Sequence, residues 1–115
     1  MDKLTLYRQH IIEILTDYAE KTKNTRLGDT EFDEQLLIDT QHDHYQLLTV
    51  GWEGIQRIYY PVFHIDIKND KIWIQEDATD FDIVGILEAR NVPKSDIVLG
   101  FYSPKKRGLT GYAVA

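Results

Sequence analysis

His42 and His44 stand two residues apart, and His64 and Asp66 repeat that spacing further along the chain. Imidazole and carboxylate groups are ligands for zinc or iron, and side chains two apart on a strand share a face. These four residues are therefore the candidate metal ligands. Spacing alone does not make the two pairs neighbours, and no His-Glu-x-x-His helix accompanies them. The ordinary alternative is a set of surface histidines with Asp66 accepting a cross-strand hydrogen bond. A metal-dependent hydrolase built on His42, His44, His64 and Asp66 is thus kept as the third of three functional readings, and no cofactor is expected.

Other catalytic sets fare worse. The chain has 0 cysteines, which removes disulfides, thiolate nucleophiles and cysteine-bound metal centres. Ser95 and Ser103 lie near prolines in loop-like sequence, without the strand-to-helix elbow of a serine nucleophile. Asp66, Glu76 and Asp77 could serve a nuclease metal site, but simple strand alternation sends Asp66 and Glu76 to opposite faces. The same alternation separates Arg57 from His64 and Gln75, which would otherwise suit a small anion. Neither Gly51-Trp52-Glu53-Gly54 nor Gly108-Leu109-Thr110-Gly111 is a phosphate-binding loop.

Charge points away from general nucleic-acid binding. The net charge is -6, and residues 1–93 carry 9 Lys and Arg against 18 Asp and Glu, while residues 94–115 carry 4 against 1. An acidic body repels phosphates at long range. The basic residues Lys94, Lys105, Lys106 and Arg107 keep local DNA contact as the second reading.

The elements that must position these residues follow from periodicity. Leu4, Tyr7, Ile11, Ile14, Leu15 and Tyr18 recur at helical intervals, so residues 4–22 read as an amphipathic helix capped by Asp2 and ended by Asn24-Thr25 and Leu27-Gly28-Asp29. Residues 32–40 and 44–52 read as strands joined across Gln41-His42-Asp43, the second with Leu48, Val50 and Trp52 on one face. A long hairpin from Ile55 to Asp77 follows, turning at Asn69-Asp70, two residue types that tolerate positive φ. Pro61 places that strand at an edge or at a bulge. Strict alternation pairs Ile67 with Ile72, Ile65 with Ile74, Asp66 with Trp73 and His64 with Gln75. One face is then aliphatic, and the other presents Tyr60, His64, Asp66, Trp73 and Gln75. A second helix over about Asp80 to Arg90 is capped by Asp77 or Thr79 and stopped by Asn91-Val92-Pro93. Ile97 to Phe101 is a short strand, and Tyr112 to Val114 a further short strand or a packed tail.

The expected fold class is α+β: one domain spanning residues 1–115, an antiparallel β-sheet with a long central hairpin, and an N-terminal and a second helix packed on one face. The other face requires water or a partner, and Tyr60, His64, Asp66, Trp73 and Gln75 are the expected partner-binding residues. No run approaches the roughly 18 apolar residues of a membrane span, and the start of the chain lacks a signal peptide's apolar core, so a cytoplasmic protein is expected. The exposed sheet face and the edge near Pro61 also predict a homo-oligomer.

Several strings carry a resemblance when taken together and in order. They are Ile38-Asp39-Thr40 through His44-Tyr45-Gln46-Leu47-Leu48, Val50-Gly51-Trp52, His64-Ile65-Asp66-Ile67, Lys71-Ile72-Trp73-Ile74-Gln75, Val92-Pro93-Lys94-Ser95-Asp96 through Phe101, and Arg107 through Ala115. The sequence closely resembles the XisI family from the first helix to the last residue. That resemblance implies a small α+β protein of a cyanobacterium or similar bacterium, a non-enzymatic controlling factor for programmed excision of the fdxN DNA element during heterocyst differentiation. It also implies a companion, the nuclease-like XisH, with strand exchange left to a separate recombinase. The hairpin turn Lys68-Asn69-Asp70-Lys71 departs from the family's frequent Asn-Gly, and Ala78-Thr79-Asp80-Phe81 stands where a glycine and a Thr-Glu pair are usual. The resemblance transfers no catalytic residue.

Overall fold

Helix α1 (Lys3–Thr22) forms where the apolar period predicts it, with the Asp2 carboxylate accepting from the Thr5 amide at 2.8 Å and with Tyr7, Ile11, Ile14 and Leu15 buried. The computed structural model describes residues 2–23 and 30–115. The expected stop signals Asn24-Thr25 and Leu27-Gly28-Asp29 lie outside the described residues.

Five strands follow: β1 (Thr30–Asp39), β2 (His44–Glu53), β3 (Gln56–Lys68), β4 (Lys71–Asp77) and β5 (Ile97–Leu99), arranged in the order β1-β2-β3-β4-β5. The first three pairings are antiparallel, whereas β4 and β5 run parallel. A parallel neighbour needs a crossover, and helix α2 (Ile83–Ala89) supplies it between β4 and β5. The antiparallel sheet therefore gains one parallel edge strand.

The hairpin turn has the geometry its residues suggest, with φ of 55° at Asn69 and 62° at Asp70. Ile67 faces Ile72, Asp66 faces Trp73 and Ile65 faces Ile74. Beyond that point strict alternation fails twice. His64 pairs with Glu76 rather than with the expected Gln75, which leaves Gln75 as the extra residue on β4. Phe63 pairs with Leu47 and Pro61 with Leu48, which leaves Val62 as the extra residue on β3. The bulged Val62 carbonyl accepts from the Ala78 amide at 2.9 Å. A bulge turns every residue beyond it to the other face. Tyr60, paired with Thr49, thus lies on the helix side of the sheet and not beside His64. The expected bulge at Pro61 is present, and because β4 ends opposite Phe63, β3 has a strand on one side only at the proline.

The same register reassigns β2. Its core face is Tyr45 and Leu47, both fully buried, while Leu48, Val50 and Trp52 belong to the opposite face. Tyr45, Leu47, Phe63, Ile65, Ile72, Ile74 and Ile97 meet the buried row of α1 together with Ile83 and Leu87 of α2. Both helices cover this one face. Polar ties fix α1 to the sheet and its connections: Arg8 grips Asp43 through Nε at 2.8 Å and Nη2 at 3.1 Å, the Tyr7 hydroxyl donates to Asp96, and the Thr22 hydroxyl donates to Glu34 of β1 at 3.0 Å.

Helix α2 starts later than Asp80. Asp82 caps it by accepting from the Gly85 amide at 3.0 Å. Asp77 and Thr79, the expected caps, instead bond one another at 2.6 Å and hold the turn that leads into it. Asn91 closes α2 with φ of 68°. A short helix, α3 (Pro104–Arg107), precedes the end of the chain, where Ala113 bridges Val98 in parallel and covers the outer edge of β5. Among the described residues no strand flanks the outer edge of β1, so the sheet is open along this edge as well as along the stretch of β3 around Pro61 that β4 does not reach. No described helix is long and apolar enough to cross a membrane.

Candidate functional site

On the sheet face away from the helices, the register of β2 and β3 places His44 opposite Asp66 and Gln46 opposite His64. Paired residues share a face, so these four side chains form one square. His44 Nδ1 lies 2.8 Å from Asp66 Oδ1, and His64 Nε2 lies 3.0 Å from the same oxygen. The other carboxylate oxygen accepts from Gln75 Nε2 at 3.1 Å. Gln46 Nε2 approaches His64 Nδ1 at 3.4 Å. Asp66 is the hub of the group.

Two pairs of candidate ligands have thus become one cluster minus a member. His42 stays out, with its Nδ1 on Asp39 at 3.0 Å at the end of β1. Gln46 was not anticipated, and only the cross-strand register could have revealed it. Leu36, Leu37, Ile38 and Asp39 wall a groove of about 750 Å³ in front of His44, His64 and Asp66.

Electrostatics follow from this packing. Burial alone would raise the pKa of Asp66, but hydrogen bonds from His44 and Gln75 and the nearby His64 outweigh it and hold the carboxyl below its ordinary range. The hydrogen bond to Asp66 raises His44 above its ordinary 6.5. A raised histidine stabilises the fold below its unfolded pKa and loses that contribution as pH rises through the folded one; a lowered carboxylate contributes above its unfolded pKa and loses this as pH falls. The stabilisation wild type holds over His44→Gln should therefore be greatest between about pH 3.8 and 6.5 and shrink on either side. Comparing two proteins cancels the opposing contribution of His10, which burial and then Arg90 push downward. Urea melts across pH measure the difference, and a gap that widens above pH 7 would contradict the assignment.

The remaining predicted residues are scattered. Trp73 is only 6% exposed, its indole donating to the Lys68 carbonyl at 3.1 Å and its ring lying 4.6 Å from Lys68 Nζ and 5.1 Å from the Arg107 guanidinium carbon. It is therefore a covered anchor, contrary to the exposed partner contact expected, and truncating it tests folding before recognition. Tyr60 is 45% exposed but belongs to the helix side. The open face instead shows Tyr59, 64% exposed, with Leu37 and Trp52, each at 45%. Arg57, paired with Trp52, shares this face after all, but seven residues of strand, roughly 23 Å, separate it from His64. Three of the four basic residues are engaged within the chain: Arg107 Nε donates to the Tyr102 carbonyl at 3.0 Å, Lys106 sits 4.2 Å over Tyr102 and Lys94 5.6 Å over Tyr112.

Comparison with known proteins agrees with this architecture. A family model described as XisI protein matches residues 1–114. A solved XisI-like protein from Anabaena variabilis ATCC 29413 is 42% identical, with a TM-score of 0.87, covering 97% of this chain and 99% of its own. The structure of the fdxN element excision controlling factor XisI from Anabaena variabilis ATCC 29413 is also 42% identical, with a TM-score of 0.88, covering 99% of this chain and 100% of its own. No curated protein matches.

Proposed function

The chain belongs to the XisI family, and from that membership we propose that it is a cytoplasmic, non-enzymatic controlling factor for programmed excision of a DNA element, acting through contact with a XisH-like companion protein. The observation that carries this reading is the likeness, at 42% identity over nearly all of both chains, to a protein described as the fdxN element excision controlling factor. The open sheet face supports contact with a protein. Leu37 exposes apolar surface there next to the polar His64, Asp66 and Gln75 group, and Trp52 and Tyr59 expose aromatic surface further along the same face. Exposed aromatic residues with a polar rim are what protein interfaces use, and the net charge of -6 disfavours phosphate.

Co-expression with a tagged XisH-like companion tests the proposal. The two chains should co-purify, and Leu37→Glu with Tyr59→Ala should weaken capture at least tenfold while leaving the melting temperature near wild type. Absence of a complex, or capture undiminished in the double variant, would refute the reading or its choice of surface respectively. A mobility shift of DNA by the chain alone, steeply salt-dependent and lost on replacing Lys94, Lys105, Lys106 and Arg107, would overturn it in favour of direct DNA contact. Sedimentation of the same preparations gives the copy number, which we take to exceed one because β1 has an open edge.

A further inference from the structure

We propose that His44, His64 and Asp66 bind a divalent first-row transition-metal ion. Their ligand atoms all lie within 4.8 Å of one another. Two imidazole nitrogens already converge on one carboxylate oxygen, at 2.8 and 3.0 Å. Tetrahedral coordination at about 2.1 Å sets ligand atoms about 3.4 Å apart, within that span. Small rotations of the three side chains therefore open a coordination site, with the ion replacing the hydrogens they now share.

Three further features favour a metal over a hydrogen-bonded cluster alone. The ligands sit on β2 and β3 at fixed cross-strand positions, so the backbone need not move to bring them together. Supporting bonds are in place: Gln75 orients the second oxygen of Asp66, and Gln46 adjoins the distal nitrogen of His64, where an outer hydrogen bond fixes the tautomer of a ligating imidazole. With Nε2 on the metal, Nδ1 carries the proton, and the Gln46 amide turns to offer its oxygen. The groove beside the cluster leaves room for water or a fourth donor. Two imidazoles and one carboxylate suit zinc, iron(II), cobalt or nickel rather than magnesium or calcium, which prefer oxygen alone.

The test uses protein purified on a tag without histidine and without chelator. Titration with Zn²⁺ by calorimetry should give one ion per chain, and Co²⁺ should develop the visible absorption of a low-coordinate nitrogen and oxygen site. His44→Gln, at a position more than half exposed and hence safe for folding, and His64→Gln should each weaken binding about 100-fold. Gln46→Ala should weaken it about tenfold, and His42→Gln should leave it unchanged. No uptake of Zn²⁺ or Co²⁺ by wild type at roughly 1 mM would overturn the proposal. So would binding that survives the combined His44→Gln and His64→Gln substitution, or that is lost with His42→Gln. None of these outcomes depends on the excision role.

Discussion

Phe63→Ala is expected to remove about 3–5 kcal/mol of stability. The ring is fully buried where three elements meet. It stands edge-on to Tyr18 of α1 with centroids 5.1 Å apart at 85°, and 6.3 Å from Phe81, which itself lies 5.3 Å from Tyr18. Truncation leaves a cavity and breaks two of these three ring contacts, each worth about 0.5–1.5 kcal/mol beyond area burial. The surrounding strands cannot easily collapse into the space, because Phe63 follows the bulged Val62 and pairs with both Leu47 and Asp77. For a chain of 115 residues, whose total stability is about 5–15 kcal/mol, the loss is a large fraction. The melting temperature should fall by more than about 10 °C, followed by circular dichroism, with Phe63→Leu clearly less affected. An Ala variant within about 1 kcal/mol of wild type would mean that the three rings do not act as one support.

Phe63 also marks where the sequence stops being legible. Short-range chemistry could be read: the Asp2 cap, the α1 stripe, the Asn69-Asp70 turn, and the hairpin pairs Ile67 with Ile72, Asp66 with Trp73 and Ile65 with Ile74. Register propagates outward from a turn only while alternation lasts. Pro61 announces the bulge beside it at Val62 but not which residue is the extra one, and the bulge at Gln75 involves no glycine or proline, so nothing local announces it. Their effect on the candidate site is large. Tyr60 moves to the helix side, Tyr59 replaces it on the open face, and Gln75, expected on the face of Asp66, keeps that neighbour but loses His64 as its cross-strand partner. Trp73 was misjudged for another reason: its cover includes Arg107, 34 positions away in sequence, which periodicity cannot connect to it. The gathering of His44, His64 and Asp66 was only half legible, since each spacing was visible but the pairing of β2 with β3 was not. The family resemblance reached further than the periodicity because it draws on the whole chain at once.

Gly51→Ala should peel the first half of β1 from β2. A Cβ at position 51 would stand 2.0 Å from the Glu31 carbonyl oxygen and 2.8 Å from the Phe32 Cα, and both are backbone atoms that no rotamer change can clear. Such an approach is what glycine in a strand permits. Because β1 is the edge strand, it can yield outward without disturbing the core, so the response should be local. Hydrogen exchange should show lost protection near Glu31 to Asp33, with an overall cost of about 1–3 kcal/mol. Leu36 and Leu37, paired with Leu47 and Gln46 nearer the turn, should stay protected. Gly54 provides the contrast, since its φ of 58° with no atom near an added Cβ poses a conformational demand alone, and Gly54→Asn should be close to neutral. Full protection at Glu31 to Asp33 with unchanged stability in Gly51→Ala would show that the two strands are not this close. The His44, His64 and Asp66 cluster lies at the other end of β2, so it should survive the substitution, which makes this variant a way to separate what the β1 edge does from what the polar cluster does.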